Sequence, residues 1–436
     1  VAVFAQTAKE DDMGFFRDFG KLMVEGSRSF ARWELDNARV IMGDRRRLAL
    51  LGLLLVPVIV GSVAFAEEVS QALPGFIGGK EAYGPSYYSL FIFLVSIAVG
   101  MGAGLISGCI GAGGGFIIAP ALMSAGVKGI LAVGTDLFHI FAKAIMGSVL
   151  HRKMGNVSVP LAVTFIIGAV IGTTVGAGIN RALYDINPVL SDAFITIVYT
   201  FMLGFLGFYG MYDYFSAKKG GKAAGPHEGR EGAGLTPLAQ RLQTVTLPPM
   251  VTFDQGIVPG GRKISCWFLI LSGVIVGMAA GIMGVGGGFL TFPIFVYVLG
   301  VSSLTTVGTD IFQIVFTAGY GAITQYAIYG FIFYTLAMGM LLGSLIGIQV
   351  GALVTKVVPG ITIRGFFALS VMAGFVNRAF ALPKKLVAMG WIALDKATAS
   401  MIDTVGMWLF FVTIGLFGVW VFGAFFMNIK TLKGEA

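Results

Sequence analysis

The sequence predicts an all-α polytopic membrane protein with two homologous halves. Three observations carry this. The 436 residues are 56% hydrophobic and only 12% charged, with a mean hydropathy of +0.86, whereas soluble domains carry about 25% charged residues. The 64 glycines exceed what soluble helices tolerate, but small residues let helices approach closely in a bilayer. Finally, one detailed motif occurs twice. Gly108 to Pro120 reads Gly-Cys-Ile-Gly-Ala-Gly-Gly-Gly-Phe-Ile-Ile-Ala-Pro and is followed by Val133-Gly-Thr-Asp-Leu-Phe-His139. Gly281 to Pro293 reads Gly-Ile-Met-Gly-Val-Gly-Gly-Gly-Phe-Leu-Thr-Phe-Pro and is followed by Thr306-Val-Gly-Thr-Asp-Ile-Phe-Gln313. Glycine- and proline-interrupted apolar segments at matching places in two halves are the best sequence pointer to a transporter's binding site.

Taken in order, residues 1–46 set Phe15, Phe16, Phe19, Leu22 and Met23 at rough helical spacing among charged residues. This reads as an amphipathic segment on the cytoplasmic membrane surface, or else as a solvated tail. Residues 47–66 hold an apolar run long enough to span, behind Arg45, Arg46 and Arg47. The run imitates a signal peptide ending in Ala64-Phe65-Ala66, but the long preceding segment is a poor leader, so an extra, uncleaved helix is expected. The first repeat, 87–215, contains apolar segments at about 87–109, 113–125, 131–150, 157–180 and 190–215. A basic loop, 216–263, holds Lys218, Lys219, Lys222, Arg230, Arg241, Arg262 and Lys263. The second repeat, 264–381, has segments at about 266–283, 287–299, 305–328, 331–356 and 360–381. Residues 382–436 close the chain with an interfacial stretch to 404 and a last span at about 405–427. The total is about 10–12 membrane segments.

Topology turns on the short segment 113–125. The positive-inside rule puts His151-Arg152-Lys153, the central loop and both termini in the cytoplasm. That requires 113–125 to cross, alone or as half of a broken pair. Five crossings per repeat is odd, so the repeats would be inverted and would build a central site with two alternating exits. A re-entrant 113–125 would make the repeats parallel instead.

The glycine runs are poor helix interiors. Irregular backbone at membrane depth is tolerated only where protein buries it or where it lines an aqueous cavity. Gly111, Gly113, Gly114 and Gly115, with Gly284, Gly286, Gly287 and Gly288, therefore form the candidate substrate site. Freed amides and helix N-termini there suit an anion, although close packing alone also needs glycine. Thr135, Thr309, His139 and Gln313 complete the candidate binding set. Asp136 and Asp310 are intramembrane carboxylates, functional candidates by default. Two readings stand open for them: coupling to a proton, or capping of the helix that follows. Lys143, one turn beyond His139, has Thr317 as its counterpart in the second repeat; it belongs to the same coupling-or-capping set, or pairs with Asp136 or snorkels. Gly168, Gly172 and Gly176 align with Gly343, Gly347 and Gly351, one helix face each. Asn377-Arg378 is an unusual polar pair near the end of an apolar segment.

No His-Glu-x-x-His, Walker or Gly-x-Ser-x-Gly pattern occurs, and the three histidines are scattered. The chain is expected to be no enzyme and to hold neither metal nor cofactor. Cys109 and Cys266 lie in apolar context, against a disulfide framework. The formal charge of +8 sits at segment ends and in one loop, which reads as topology rather than a nucleic-acid surface.

At the paired runs Gly111-Ala-Gly-Gly-Gly-Phe and Gly284-Val-Gly-Gly-Gly-Phe, each followed by a proline and then Val-Gly-Thr-Asp, the sequence resembles the sulfite exporter TauE/SafE family of membrane anion permeases. Gly155-Asn156 also looks like the family's. The resemblance covers about 87–215 and 264–381, leaving the N-terminal 86 residues, the central loop and the last span as additions. It implies a secondary transporter for a small sulfur-containing anion, such as sulfite, a sulfonate like sulfoacetate, or thiosulfate. The expected partners are that anion, a coupling proton, the lipid bilayer of a bacterial inner membrane and further copies of the chain. An anion channel, or a sensor or scaffold acting through the central loop, is the competing expectation.

Overall fold

The computed structural model describes residues 90–110, 114–153, 157–219, 237–254, 260–355 and 357–428. The expected surface segment 1–46 and helix 47–66, Gly111, Gly113, Gly155-Asn156 and part of the central loop lie outside these. The chain divides into one unit of Gly61–Ala424 and another of Val1–Val60 with Phe425–Ala436, of which residues 425–428 are described.

The described chain is almost wholly helical: α1 Leu90–Ile110, α2 Gly115–Ser124, α3 Gly129–Lys153, α4 Val159–Ile186, α5 Pro188–Lys219, α6 Pro237–Thr244, α7 Cys266–Met283, α8 Gly288–Pro293, α9 Ser303–Tyr320, α10 Tyr334–Val354, α11 Gly360–Ala388 and α12 Lys396–Met427. Seven of these (α1, α4, α5, α7, α10, α11 and α12) are long and apolar enough to cross a membrane, and the protein is a multi-pass membrane protein. Helix α3 has the length but carries Thr135, Asp136, His139 and Lys143, and α9 carries Thr309, Asp310, Gln313 and Thr317. Polar groups aimed inward lower their apolarity. Residues 382–404 are shared between the end of α11, a turn and the start of α12, with Lys384 Nζ donating to Asp403 Oδ2 at 2.8 Å across the turn.

Two helices are short. Helix α2, with Pro120 inside it, is 10 residues, so about 15 Å. Helix α8 ends at Pro293, which breaks the hydrogen-bond ladder, and Ile294–Leu299 continue as a π-helix. Together they reach about 18 Å, against a hydrocarbon layer of about 30 Å. Each starts after a left-handed glycine, Gly114 at φ 68° and Gly287 at φ 87°, a conformation costly for any residue with a Cβ.

Glycines set the main helix contacts. Gly168, Gly172 and Gly176 of α4 press on the carbonyls of Ile270, Val274 and Met278 of α7, and Gly273, Gly277 and Gly281 of α7 press back on Phe165, Ala169 and Thr173. Helices α1 and α10 repeat the arrangement. Gly100, Gly104 and Gly108 meet Met340, Ser344 and Ile348, while Gly343, Gly347 and Gly351 meet Ile97, Met101 and Leu105. A Cβ at any of these would collide with facing backbone. Both pairs run parallel, since the contacts advance together. In α5 and α11 they advance oppositely: Gly204 lies at Phe375, Gly207 at Met372 and Gly210 at Ala368. Helices α3 and α9 are likewise antiparallel, with Gly319 of α9 on Phe141 and Gly321, just past its end, on Leu137.

The latter part of the central loop is structured. Helix α6 leads into a hairpin of β1, Met250–Phe253, and β2, Arg262–Ser265, with Val251 opposite Ile264. Val251, Phe253 and Ile264 are buried with Phe165 of α4 and Phe295 and Leu299 after α8, and the Phe165 and Phe295 rings meet edge to face at 5.1 Å. The hairpin also holds the turn between α8 and α9. Asp254 accepts from Ser302 N at 2.9 Å and from Ser302 Oγ at 2.7 Å. Arg262 Nη1 donates to Gly300 O at 2.7 Å, and Gln243 Nε2 to Leu299 O at 2.8 Å.

Candidate functional site

The Gly-Thr-Asp motifs lie inside helices, not at their starts. Helix α3 begins at Gly129 and α9 at Ser303, so Asp136 and Asp310 each stand about two turns in. This overturns the expectation that these residues cap the helix that follows. Other carboxylates hold those ends: Asp192 Oδ1 of α5 accepts Gly129 N at 2.7 Å, and Asp254 holds Ser302, which caps α9. The threonines instead serve distant backbone. Thr135 Oγ1 accepts the N–H of Phe333, which precedes α10, at 2.9 Å. Thr309 Oγ1 accepts the N–H of Ser158, which precedes α4, at 3.0 Å. The first amides of a helix have no partner within it and need such acceptors.

The two glycine breaks adjoin. A Cβ on Gly115, the first residue of α2, would stand 3.3 Å from the backbone of Val285, inside the second glycine run. Ile140, the residue after His139, fills the space between them: its side chain would be 2.8 Å from a Cβ on Gly115 and 2.8 Å from one on Gly286. Gly284 faces Val133 O, and Gly287 faces Val276. Gly288, the first residue of α8, faces Asp310, whose Oδ2 would be 3.1 Å from an added Cβ. Of the glycines expected to form the site, Gly115, Gly284, Gly286, Gly287 and Gly288 are thus brought together with α3 or its neighbours, while Gly114 lies on the backbone of Ala103 of α1.

Around the second carboxylate the polar groups satisfy one another. Gln313 Nε2 donates to Asp310 Oδ1 at 2.9 Å, and Thr317 Oγ1 donates to Gln313 Oε1 at 2.7 Å. The corresponding positions of α3 differ. Asp136 and His139 are 0% exposed. Ser344 Oγ lies within hydrogen-bond reach of Gly100 O at 3.0 Å and of His139 Nε2 at 2.9 Å, and His139 Nδ1 lies 3.8 Å from Asp136 Oδ1. Neither carboxylate oxygen of Asp136 nor Nδ1 of His139 has a hydrogen-bond partner. Lys143 Nζ donates to Ser107 Oγ of α1 at 2.8 Å.

Two buried clusters were missed as sites. The last carbonyls of α7 are met by side chains from elsewhere. Asn180 Nδ2 of α4 donates to Ile282 O at 2.8 Å and to Tyr326 Oη at 3.1 Å. Tyr326 Oη donates to Gly281 O, and Tyr199 Oη of α5 to Met283 O. Single polar residues in apolar runs were the available signal. Arg378, 1% exposed, holds the end of α2: Nε donates to Asn377 Oδ1 at 2.7 Å, Nη2 to Ser124 Oγ at 2.6 Å and Nη1 to Met123 Sδ at 3.5 Å. A cation at a helix C-terminus is favourably placed. The side chains of His151 and Arg364 lie outside the described ones.

The family model described as "Sulfite exporter TauE/SafE" matches residues 96–378. The chain belongs to this family. Among its relatives, "Probable membrane transporter protein YunE" of Bacillus subtilis is 33% identical over 28% of this chain, and the match spans 45% of YunE's length. A "Probable membrane transporter protein" of Xylella fastidiosa is 23% identical over 71% of this chain and 97% of its own. "Probable membrane transporter protein YjnA" of Bacillus subtilis is 24% identical over 59% of this chain and 87% of its own. No solved structure matches. The TauE/SafE match covers α2, α3, α8 and α9 and every carboxylate of the site, and it marks the chain as a membrane transporter.

Proposed function

We propose that the protein is a secondary transporter that carries a small sulfur-containing anion, such as sulfite, sulfoacetate or thiosulfate, across the inner membrane by alternating access. The observation that carries this reading is the meeting of two half-length, glycine-initiated helices, α2 and α8, at the contact of Gly115 with Val285. Helix starts buried at membrane depth offer amides and positive dipole ends to an anion. The name of the family supports the sulfur oxyanion class.

The packing supports two inverted halves. Exchanging the repeats turns the α1–α10 pair into the α7–α4 pair, and both are parallel. The same exchange maps α3 onto α9 and α5 onto α11, and each of these counterparts is antiparallel to its mate. Counterparts that run oppositely are what a two-fold axis in the membrane plane produces. The threonine bonds exchange in the same way: Thr135 serves the helix start at Phe333, and Thr309 the one at Ser158.

The test is flux of labelled sulfoacetate, thiosulfate, sulfate and chloride in liposomes containing the full chain. Saturable, counterflow-competent flux of a sulfur anion is expected, lost in Gly115→Leu and Gly288→Leu proteins that remain folded. Channel-like flux without counterflow overturns the carrier, and undiminished flux in both variants overturns this site.

A further inference from the structure

We propose that Asp136 and His139 together form a proton-binding site that sets the coupling of transport, and that in the second half Gln313 supplies Asp310 with the hydrogen that Asp136 lacks. The inference rests on the transporter reading above and deepens it.

Three buried polar atoms stand without partners in one place: both oxygens of Asp136 and Nδ1 of His139. Buried groups of this kind are rare, because each forfeits the hydrogen bonds it had in water. With the ring hydrogen on Nε2, toward Ser344 Oγ, and the serine hydrogen on Gly100 O, Nδ1 and Oδ1 face each other as two acceptors at 3.8 Å. One added proton resolves this. It forms an O–H bond at Asp136 Oδ1, and that hydroxyl donates to Nδ1 once a small side-chain rotation closes the gap. No other atom has to change its bonding.

The second half has an amide where the first has the ring. There Gln313 replaces His139, and its Nε2–H donates to Asp310 Oδ1 at 2.9 Å. An amide always carries that hydrogen; an imidazole with Nε2 already committed does not. The two carboxylates thus have the same helix position and different hydrogen-bond partners.

Charged and titratable groups reach Asp136 from several elements. Lys143 lies two turns along its own helix. Tyr199 comes from α5 and has Arg378 of α11 within reach. Tyr326, beyond α9, packs against Gly134. Helix α2 carries no ionisable side chain, and the amide of Ala119 is its nearest contribution. Helix α1 brings only Cys109 and α10 only Tyr334. Protonation of Asp136 removes one negative charge from among these groups. An anion is then held more tightly in the proton-loaded state, which is the requirement for moving proton and anion together.

The experiment uses the full-length protein in lipid and has two readouts. Infrared difference spectra between about pH 5 and pH 9, a range around ordinary histidine behaviour, are expected to contain a protonated-carboxyl C=O band. The component due to Asp136 should vanish in Asp136→Asn and also in His139→Gln, where an amide supplies the hydrogen instead. Separately, a pH gradient is expected to drive accumulation of labelled sulfoacetate or thiosulfate in wild-type liposomes, with proton uptake read by a trapped dye, and His139→Gln is expected to lose the dependence on the gradient. Spectra with no band assignable to Asp136 overturn the proton site whatever the flux. A band with flux indifferent to the gradient overturns the coupling and leaves the transporter standing. A band with no flux of either anion overturns the transport reading itself.

Discussion

Thr135 Oγ1 accepts the backbone N–H of Phe333 at 2.9 Å, so a residue of α3 completes the start of α10, some two hundred positions along the chain. Thr309 does the same for Ser158 and α4. Each polar helix thereby fixes the entry of a glycine-packed helix on which the bundle depends. Thr135→Val keeps the shape and removes the acceptor, leaving a buried amide unpaired at a cost of about 1–3 kcal/mol. A lowered unfolding temperature in detergent is expected for Thr135→Val and for Thr309→Val. Thr135→Ser, which retains the hydroxyl, should stay near wild type.

The glycine contacts give a second, larger effect. A Cβ on Gly172 or Gly347 would overlap a carbonyl of the facing helix, so Gly172→Leu and Gly347→Leu must push apart helices that pack backbone to backbone. Loss of the monodisperse peak on size-exclusion chromatography is expected for both. Gly415 of α12 has nothing within 4 Å of an added Cβ, and Gly415→Ala should change stability by no more than about 0.5 kcal/mol.

These two cases also mark what could be read from sequence. The helical segments were legible because spans are long, apolar and bounded by charge; Cys266–Met283 falls where the hydropathy puts it. The glycine faces of α4 and α10 were legible from four-residue spacing. Their partners in α1 and α7, Gly100 to Gly108 and Gly273 to Gly281, have the same spacing but run directly into the richer glycine runs, which mask it. The role of the Gly-Thr-Asp motif was not legible. Thr-Asp before an apolar stretch looks like a helix start, and only the real start at Gly129, held by Asp192 from another helix, moves the motif into the interior. The contact of Ser344 Oγ with His139 Nε2 joins residues 205 positions apart, a relation no local pattern encodes.

Arg378 supplies a third prediction. Its guanidinium reaches three groups at once, Asn377 Oδ1, Ser124 Oγ and Met123 Sδ, and so fastens the far end of the short helix α2. A lysine has one nitrogen and no planar fork, so Arg378→Lys cannot make all three contacts. Arg378→Lys and Arg378→Ala are both expected to lower the unfolding temperature, the alanine more because it also leaves a cavity, at about 2–5 kcal/mol by analogy with large-to-small core changes. Equal stability of Arg378→Lys and wild type would mean that charge alone, not the fork, holds α2.

The hairpin inserted between the halves does for α8 what Arg378 does for α2, from outside the bundle. Asp254 takes hydrogens from both N and Oγ of Ser302 at 2.9 and 2.7 Å and lies 3.6 Å from Arg262, whose Nη1 also binds Gly300 O. Its backbone is left-handed at φ 55°, which Asn and Asp tolerate better than other side chains. Asp254→Asn therefore changes charge and acceptor number without backbone strain. One amide oxygen cannot replace two carboxylate oxygens, so at least one hydrogen of Ser302 loses its charged acceptor, a bond worth about 1.5–3 kcal/mol. Faster amide exchange at residues 300–306 is expected in Asp254→Asn, with the exchange of α4 and α10 unchanged. Because Ser302 begins the helix that carries Asp310 and Gln313, weaker anion binding should accompany the faster exchange. Faster exchange with unaltered binding would separate the hairpin from the site and make it a structural brace alone.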